Sequence, residues 1–122
     1  MSDDLILEFC KIHIYDNYMV VTINEGVTIT SEENKTLTHI ADTYFKNKKF
    51  VYITHRIHSY AVDPAVYKET SKIENLVGFS VVSSDFKAKS NALVEKLFLS
   101  KPFEIFDSLE EAINWSQSIL NS

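Results

Sequence analysis

The residues best equipped for chemistry follow a short apolar run near the middle of the chain. Residues 50–54 are β-branched and aromatic, a composition that predicts a buried strand. A polar loop over residues 55–63 follows, and its candidate functional side chains are His55, Arg56, His58, Ser59 and Tyr60. Imidazole, hydroxyl and guanidinium groups can move protons, attack electrophiles or hold anions. This loop is therefore the first candidate for a functional site.

Two histidines in the loop raise the question of a metal site or an enzyme. His55 and His58 are three residues apart, but a zinc site needs three or four ligands, and only Asp63 follows nearby. We therefore expect the imidazoles to bond within the loop, and we predict no metal and no cofactor. Catalysis by Ser59 beside His58 is disfavoured, because adjacent residues rarely reach the geometry required of a nucleophile and its base. A small enzyme that uses His55 or His58 stays open as the alternative.

Composition excludes other classes of function. The chain has 122 residues, of which 45% are hydrophobic and 24% charged, and this fits one globular domain. The net charge of −5 argues against nucleic acid as a partner, because phosphate binding needs clustered Lys and Arg. Gly26 and Gly78 are the only glycines, so a glycine-rich phosphate loop or a dinucleotide fingerprint is excluded.

Cysteine use and hydropathy bear on location. Cys10 is the only cysteine, and a lone thiol fits a reducing compartment. No signal peptide is recognisable, and no apolar run approaches the roughly 20 residues of a membrane span. We therefore expect a soluble, cytoplasmic protein without a membrane span.

The hydrophobic pattern predicts alternating strands and helices. Five strands are predicted over residues 5–15, 18–23, 50–54, 76–82 and 103–106. Four helices are predicted to begin after Thr30, at Pro64, after Ser84 or Asp85, and at Ser108. The resulting order, ββαβαβαβα, predicts a single α/β domain over residues 1–122, with a five-stranded mixed sheet.

Local signals support these boundaries. Asp16-Asn17 between two apolar runs is typical of a tight hairpin. Thr30 with Glu33, and Ser108 with Glu111, have capping-box spacing. Asp63 is the expected N-cap of the second helix.

The third predicted helix, running to about residue 99, has an apolar stripe. Phe86, Leu93 and Leu97 are spaced along one of its sides, and Pro102 ends the segment. Gly78, inside the preceding strand, predicts a close approach of another backbone.

Parallel strands place their carboxyl ends at one edge of a sheet, where ligand sites form. This rim is predicted to gather Arg56, His58, Ser59, Tyr60, Ser83, Ser84 and Asp85. Lys87 and Lys89 begin the next helix, so the rim could bind a small anion or a phosphorylated head group. In the alternative interpretation, the lysines are solvated and Arg56 pairs with Asp63 or Asp85.

The element order resembles the STAS domain (sulfate transporter and anti-sigma factor antagonist), and more closely its SpoIIAA-like branch. The resemblance covers nearly the whole chain. It rests on the opening hairpin, the helix after Thr30, the strand at Phe50 and the terminal helix at residues 108–112.

The resemblance implies a non-catalytic module that binds a protein partner or a small anionic or lipid-like ligand at the loop after the central strand. In anti-sigma antagonists that loop carries a phosphorylated serine in an Asp-Ser-Ser-Gly-like motif. Ser59 lies in the corresponding region, but the preceding acid and the following glycine are missing. The SpoIIAA-like fold also resembles lipid-binding domains of the Sec14 type. A homodimer through aromatic faces at Tyr15, Tyr18 and Phe103 is a further hypothesis.

Overall fold

The computed structural model describes residues 3–121, in which eight strands and four α-helices form an α/β domain. The strands are β1 (Asp3–Ile6), β2 (Cys10–Ile14), β3 (Tyr18–Ile23), β4 (Thr28–Ile29), β5 (Phe50–His55), β6 (Ala61–Val62), β7 (Leu76–Val82) and β8 (Phe103–Phe106). The helices are α1 (Ser31–Phe45), α2 (Val66–Thr70), α3 (Phe86–Glu95) and α4 (Leu109–Leu120), and a short 3-10 helix, Lys96–Phe98, extends α3. Among the described residues, no helix is long and apolar enough to cross a membrane.

Six strands form the main sheet in the order β1-β2-β3-β5-β7-β8. The pairs β1–β2 and β2–β3 are antiparallel, whereas β3, β5, β7 and β8 run parallel. The predicted fold class and the hairpin at Asp16-Asn17 are therefore confirmed. The short strands β4 and β6 pair with each other in parallel, apart from the main sheet.

The main sheet has six strands rather than the predicted five, because residues 5–15 do not form one strand. The chain reverses between β1 and β2, where the amide of Leu7 donates to the carbonyl of Cys10 at 2.8 Å. Neither glycine nor proline marks this reversal, so the alternating pattern continues through it without a sequence signal.

Most helices begin where their caps predict. The carboxylate of Glu33 accepts the amide of Thr30 at 2.8 Å, and the amide of Glu111 donates to the Ser108 hydroxyl at 3.2 Å. The second helix begins later than expected. Asp63 accepts the amide of Ala65 at 3.0 Å in a turn, so the prediction that Asp63 is the N-cap was wrong.

The two faces of the sheet carry different helices. α1, α2 and the inner side of α3 pack on one face, over a core that includes Phe45, Phe50 and Phe79. α4 packs alone on the other, against Val51 and Ile53. Gly78 permits this approach, because a Cβ built there would lie 3.1 Å from the side chains of Ile119 and Trp115. The close approach at Gly78 is therefore made by side chains of α4 and not, as the sequence had suggested, by a backbone.

Candidate functional site

A cleft lies at the carboxyl ends of the parallel strands, where the loop after β5 meets the loop after β3 and the start of α3. The amide of Gly26 donates to the carbonyl of Ser59 at 2.8 Å, and the amide of Arg56 donates to that of Val82 at 2.8 Å. These bonds fix the loop against its neighbours. The cleft has a volume of about 350 Å³. Of the predicted site residues it brings together Arg56, His58, Ser59, Tyr60 and Lys87.

Arg56 lines the cleft but turns its guanidinium inward. Nη1 donates to the Glu95 carboxylate at 2.9 Å, Nη2 donates to its other oxygen, and the two side chains are only 6% and 10% exposed. Burial alone would lower the pKa of Arg56, but the hydrogen bonds and charge of Glu95 raise it above its ordinary value. Arg56 therefore pairs with neither Asp63 nor Asp85. Its partner lies 39 residues away on the inner side of α3.

Two tyrosines complete this buried polar cluster. The Tyr60 hydroxyl accepts from Arg56 Nε at 2.9 Å and bonds the Thr54 hydroxyl at 2.9 Å. The Tyr67 hydroxyl donates to the Glu95 carboxylate. Burial raises the pKa of both tyrosines, so both hydroxyls keep their protons at neutral pH. We define Thr54, Arg56, Tyr60, Tyr67 and Glu95 as the buried cluster.

Sequence reasoning missed Glu95 and Tyr67. The signal for Glu95 was present, since it follows Phe86 by nine residues, which is about two and a half helical turns. Glu95 therefore lies on the side of α3 opposite the apolar stripe. Tyr67 gave no comparable signal, because α2 is short and its apolar residues are too few to define a buried side.

The remaining predicted residues are accessible. His58, Ser59, Ser84 and Lys87 are all exposed. His58, Ser59 and Lys87 line the cleft, whereas Ser84 does not. Glu25 and Asp85 share the cleft with Lys87, and Asp85 also accepts the amide of Ala88 at 2.9 Å. Because these acids offset the lysine and Glu95 neutralises Arg56, the cleft has little net positive charge.

The histidines do not meet in this cleft. His58 lines it, whereas His55 belongs to β5 and is not part of the lining. Partial burial lowers the pKa of His55, which favours the neutral imidazole. Within residues 3–121, no group of three or more His, Cys, Asp or Glu side chains could hold a metal ion.

The outer side of α3 adjoins the cleft and is apolar. Phe86 is 84% exposed, Leu93 60% and Leu97 81%, and Ile57 on the neighbouring loop is 63% exposed. We call these four residues the α3 patch. Single exposed apolar residues are ordinary on protein surfaces, but here three of them share one side of α3 and its 3-10 extension. The lysines that flank the stripe are Lys87, Lys89 and Lys96.

Little holds α3 to the body of the domain besides the buried cluster. Its buried residues are Ala92 and Glu95, so no large apolar side chain of the helix reaches the core. On one flank Lys89 pairs with Asp107, and Lys96 lies 3.5 Å from Glu104. Exposed ion pairs of this kind stabilise by only about 0–1 kcal/mol each.

The aromatic residues proposed for self-association do not share an exposed face. The rings of Tyr15 and Tyr18 stack with centroids 4.6 Å apart and are partly buried. Phe103 is buried in the core, where it stacks on Phe79 at 5.2 Å. Phe103 therefore cannot contribute to an outer aromatic surface.

Comparison with known proteins supports the fold. No family model matches the chain, and neither does any curated protein. A solved structure of an uncharacterised DUF3478-family protein from Shewanella loihica PV-4, described as having a SpoIIAA-like fold, superposes with a TM-score of 0.57. The likeness covers 95% of this chain and 92% of that one, at 11% sequence identity.

This chain has a SpoIIAA-like fold. The resemblance inferred from the element order is therefore confirmed. At such low identity the likeness concerns architecture alone, since one fold serves many functions. The function of this SpoIIAA-like domain must be argued from its own surface and buried groups.

Proposed function

We propose that this SpoIIAA-like domain is a non-catalytic binding module that recognises a protein partner. Its recognition surface joins the loop after β5 to the outer side of α3. The observation that carries the proposal is the α3 patch, in which Phe86, Leu93 and Leu97 on one side of α3 and its 3-10 extension, and Ile57 on the nearby loop, are all largely exposed.

Covering the α3 patch would supply binding free energy. Burying a Leu, Ile or Phe side chain is worth about 1.5–3 kcal/mol, and a few such side chains at the centre of an interface usually dominate affinity. Lys89 and Lys96 already pair with Asp107 and Glu104, so the border of the α3 patch carries little free charge and a partner with a matching apolar surface fits it best.

The predicted site residues have different roles in this proposal. His58, Ser59 and Lys87 are exposed beside the α3 patch and would contact the partner directly, while Ser84 would lie at the border. Arg56 and Tyr60 would position the loop from below, because both are engaged in the buried cluster. Because Arg56 is paired with Glu95, it is not available to bind a small anion at the surface of the cleft. A protein partner therefore fits this surface better than a small anion does.

Site-specific photocrosslinking in the native host tests the proposal. A benzoylphenylalanine at Leu97 or Phe86 is expected to give a discrete adduct with a single protein species. Tyr44 is the matched control, because it is an exposed aromatic residue on α1, outside the α3 patch.

The purified partner should then bind the wild-type domain, and Leu93→Ser with Leu97→Ser should weaken its Kd at least 10-fold. Equal adducts at Tyr44 and Leu97, or no discrete adduct at any position of the α3 patch, would refute the proposal.

A further inference from the structure

The buried cluster has the arrangement of an anion site that holds a side chain of its own protein. Two nitrogens of Arg56 and the hydroxyl of Tyr67 all donate to the Glu95 carboxylate. We propose that Arg56 and Tyr67 form a carboxylate-binding site in which Glu95 is an internal ligand. A small apolar carboxylate would displace Glu95 and release α3.

The donors and the acceptor belong to different parts of the fold. Arg56 follows β5, whose neighbours in the sheet are β3 and β7, and Tyr67 lies on α2. Glu95 alone comes from α3. The fork of Arg56 and the hydroxyl of Tyr67 would therefore stay in place if α3 moved outward, and they match the two oxygens of any carboxylate.

A small space lies beside these donors. A cavity of about 30 Å³ is lined by Arg56, Tyr60 and Tyr67 together with apolar groups such as Val62 and Phe79 and polar groups such as Asn34 and Thr70. Space of this size holds about one water molecule. Glu95 does not line this space, so the ligand would instead take the volume that the Glu95 side chain itself vacates beside Arg56 and Tyr67. The Glu95 side chain carries two methylene groups next to its carboxylate, so a carboxylate with a short alkyl tail matches the vacated volume better than a sugar acid or a polyanion.

The buried positive charge of Arg56 makes the movement of α3 depend on a bound carboxylate. Arg56 stays charged, and a buried cation without a partner is strongly unfavourable. Glu95 therefore cannot leave unless another anion takes its place. The helix itself resists weakly, since its other buried residue is Ala92 and its flanking ion pairs are exposed.

The consequence would be a ligand-controlled helix. A carboxylate that competes with Glu95 shifts the domain towards a state in which α3 is detached, by the difference in its affinity for the two states. This inference rests on the buried cluster and not on the α3 patch, so either can fail without the other.

Amide hydrogen exchange of the wild-type domain, with butyrate as the probe, tests the inference. Saturating butyrate is expected to speed exchange of the α3 amides, residues 86–95, at least 10-fold while leaving α4 unchanged, because local opening sets the rate. Butyramide has the same shape without the charge and should have no effect. No change in α3, or the same change with butyramide, would overturn the inference.

Two variants sharpen the test. Glu95→Gln keeps the shape and one acceptor oxygen but removes the competing charge, so it should bind butyrate at least 10-fold tighter than wild type. Arg56→Met should abolish the butyrate effect on exchange. A Glu95→Gln variant that binds no tighter would contradict the competition. The wild-type comparison of butyrate with butyramide decides the matter even where a variant fails to fold.

Discussion

α3 and α4 are alike in their caps and opposite in their packing. Asp85 accepts the amide of Ala88 at 2.9 Å at the start of α3, and Ser108 accepts that of Glu111 at 3.2 Å at the start of α4. α4 turns its apolar stripe to the sheet, whereas α3 turns its stripe to solvent and buries Glu95. An amphipathic pattern thus defines a helix and its two sides, but not which side faces the core.

The surface beneath each helix explains the difference. Under α4 the sheet presents Val51, Ile53 and Val82, which need an apolar cover. Under α3 lie the end of β5 and the loop after it, where Arg56 and Tyr60 need polar partners. A buried guanidinium requires a carboxylate, so the polar side of α3 is drawn inward.

We expect the largest loss of stability when the polar contact that fixes α3 is removed. Glu95→Ala leaves Arg56 buried without a partner, and we expect it to lower the free energy of unfolding by about 3–5 kcal/mol in urea titrations. Arg56→Met combined with Glu95→Leu should recover most of this loss, because no buried charge remains. A single substitution that costs under about 1 kcal/mol would show that the cluster does not anchor α3.

We expect the next largest loss of stability when the space that lets α4 approach the sheet is filled. Gly78→Val would press against Trp115 and Ile119, since a Cβ alone would already lie 3.1 Å from each. Overpacking of this kind costs about 1–3 kcal/mol, and unfolding followed by Trp115 fluorescence measures it. A neutral result would mean that α4 can shift without penalty. The outer side of α3 has no equivalent constraint.

Capping should contribute equally to the two helices if their starts are alike. Asp85→Ala and Ser108→Ala are each expected to cost about 1 kcal/mol, the usual value for a lost N-cap. Thermal unfolding of the two variants provides the comparison. A cost confined to Ser108→Ala would indicate that α3 is already frayed at its start.

The smallest effect concerns the α3 patch itself. Leu93→Ser should change the free energy of unfolding by no more than about 0.5 kcal/mol, because the side chain is 60% exposed. Ile113→Ser on α4 is the matched control, since Ile113 packs against the core and its loss should cost more. If Leu93→Ser and Ile113→Ser lowered the free energy of unfolding equally, the apolar stripes of α3 and α4 would both be buried, and the two helices would not differ.

Much of the fold could be predicted from the sequence because its signals are local. The strand at Phe50, the caps at Thr30 and Ser108, and the hairpin at Asp16-Asn17 each depend on residues close in the chain. The reversal between β1 and β2 could not be predicted, because Leu7 and its neighbours continue an apolar pattern with no turn residue.

The site was less predictable because its decisive contacts are distant in sequence. Arg56 lines the cleft at the predicted rim, but its partner lies 39 residues further on, and no local pattern links the two. The apolar stripe of α3 was visible as a pattern, yet only the position of Arg56 beneath the helix determines that the stripe faces outward.

We propose a role for the α3 patch as the recognition surface of this SpoIIAA-like domain. Its most direct test is the Kd of the crosslinked partner, measured by isothermal titration for Leu93→Ser/Leu97→Ser and for a control, Ile6→Ser/Tyr44→Ser, which removes exposed apolar groups elsewhere. We expect at least a 10-fold weaker Kd for the first variant and less than about a 2-fold change for the second. Equal Kd values for the two variants would contradict it.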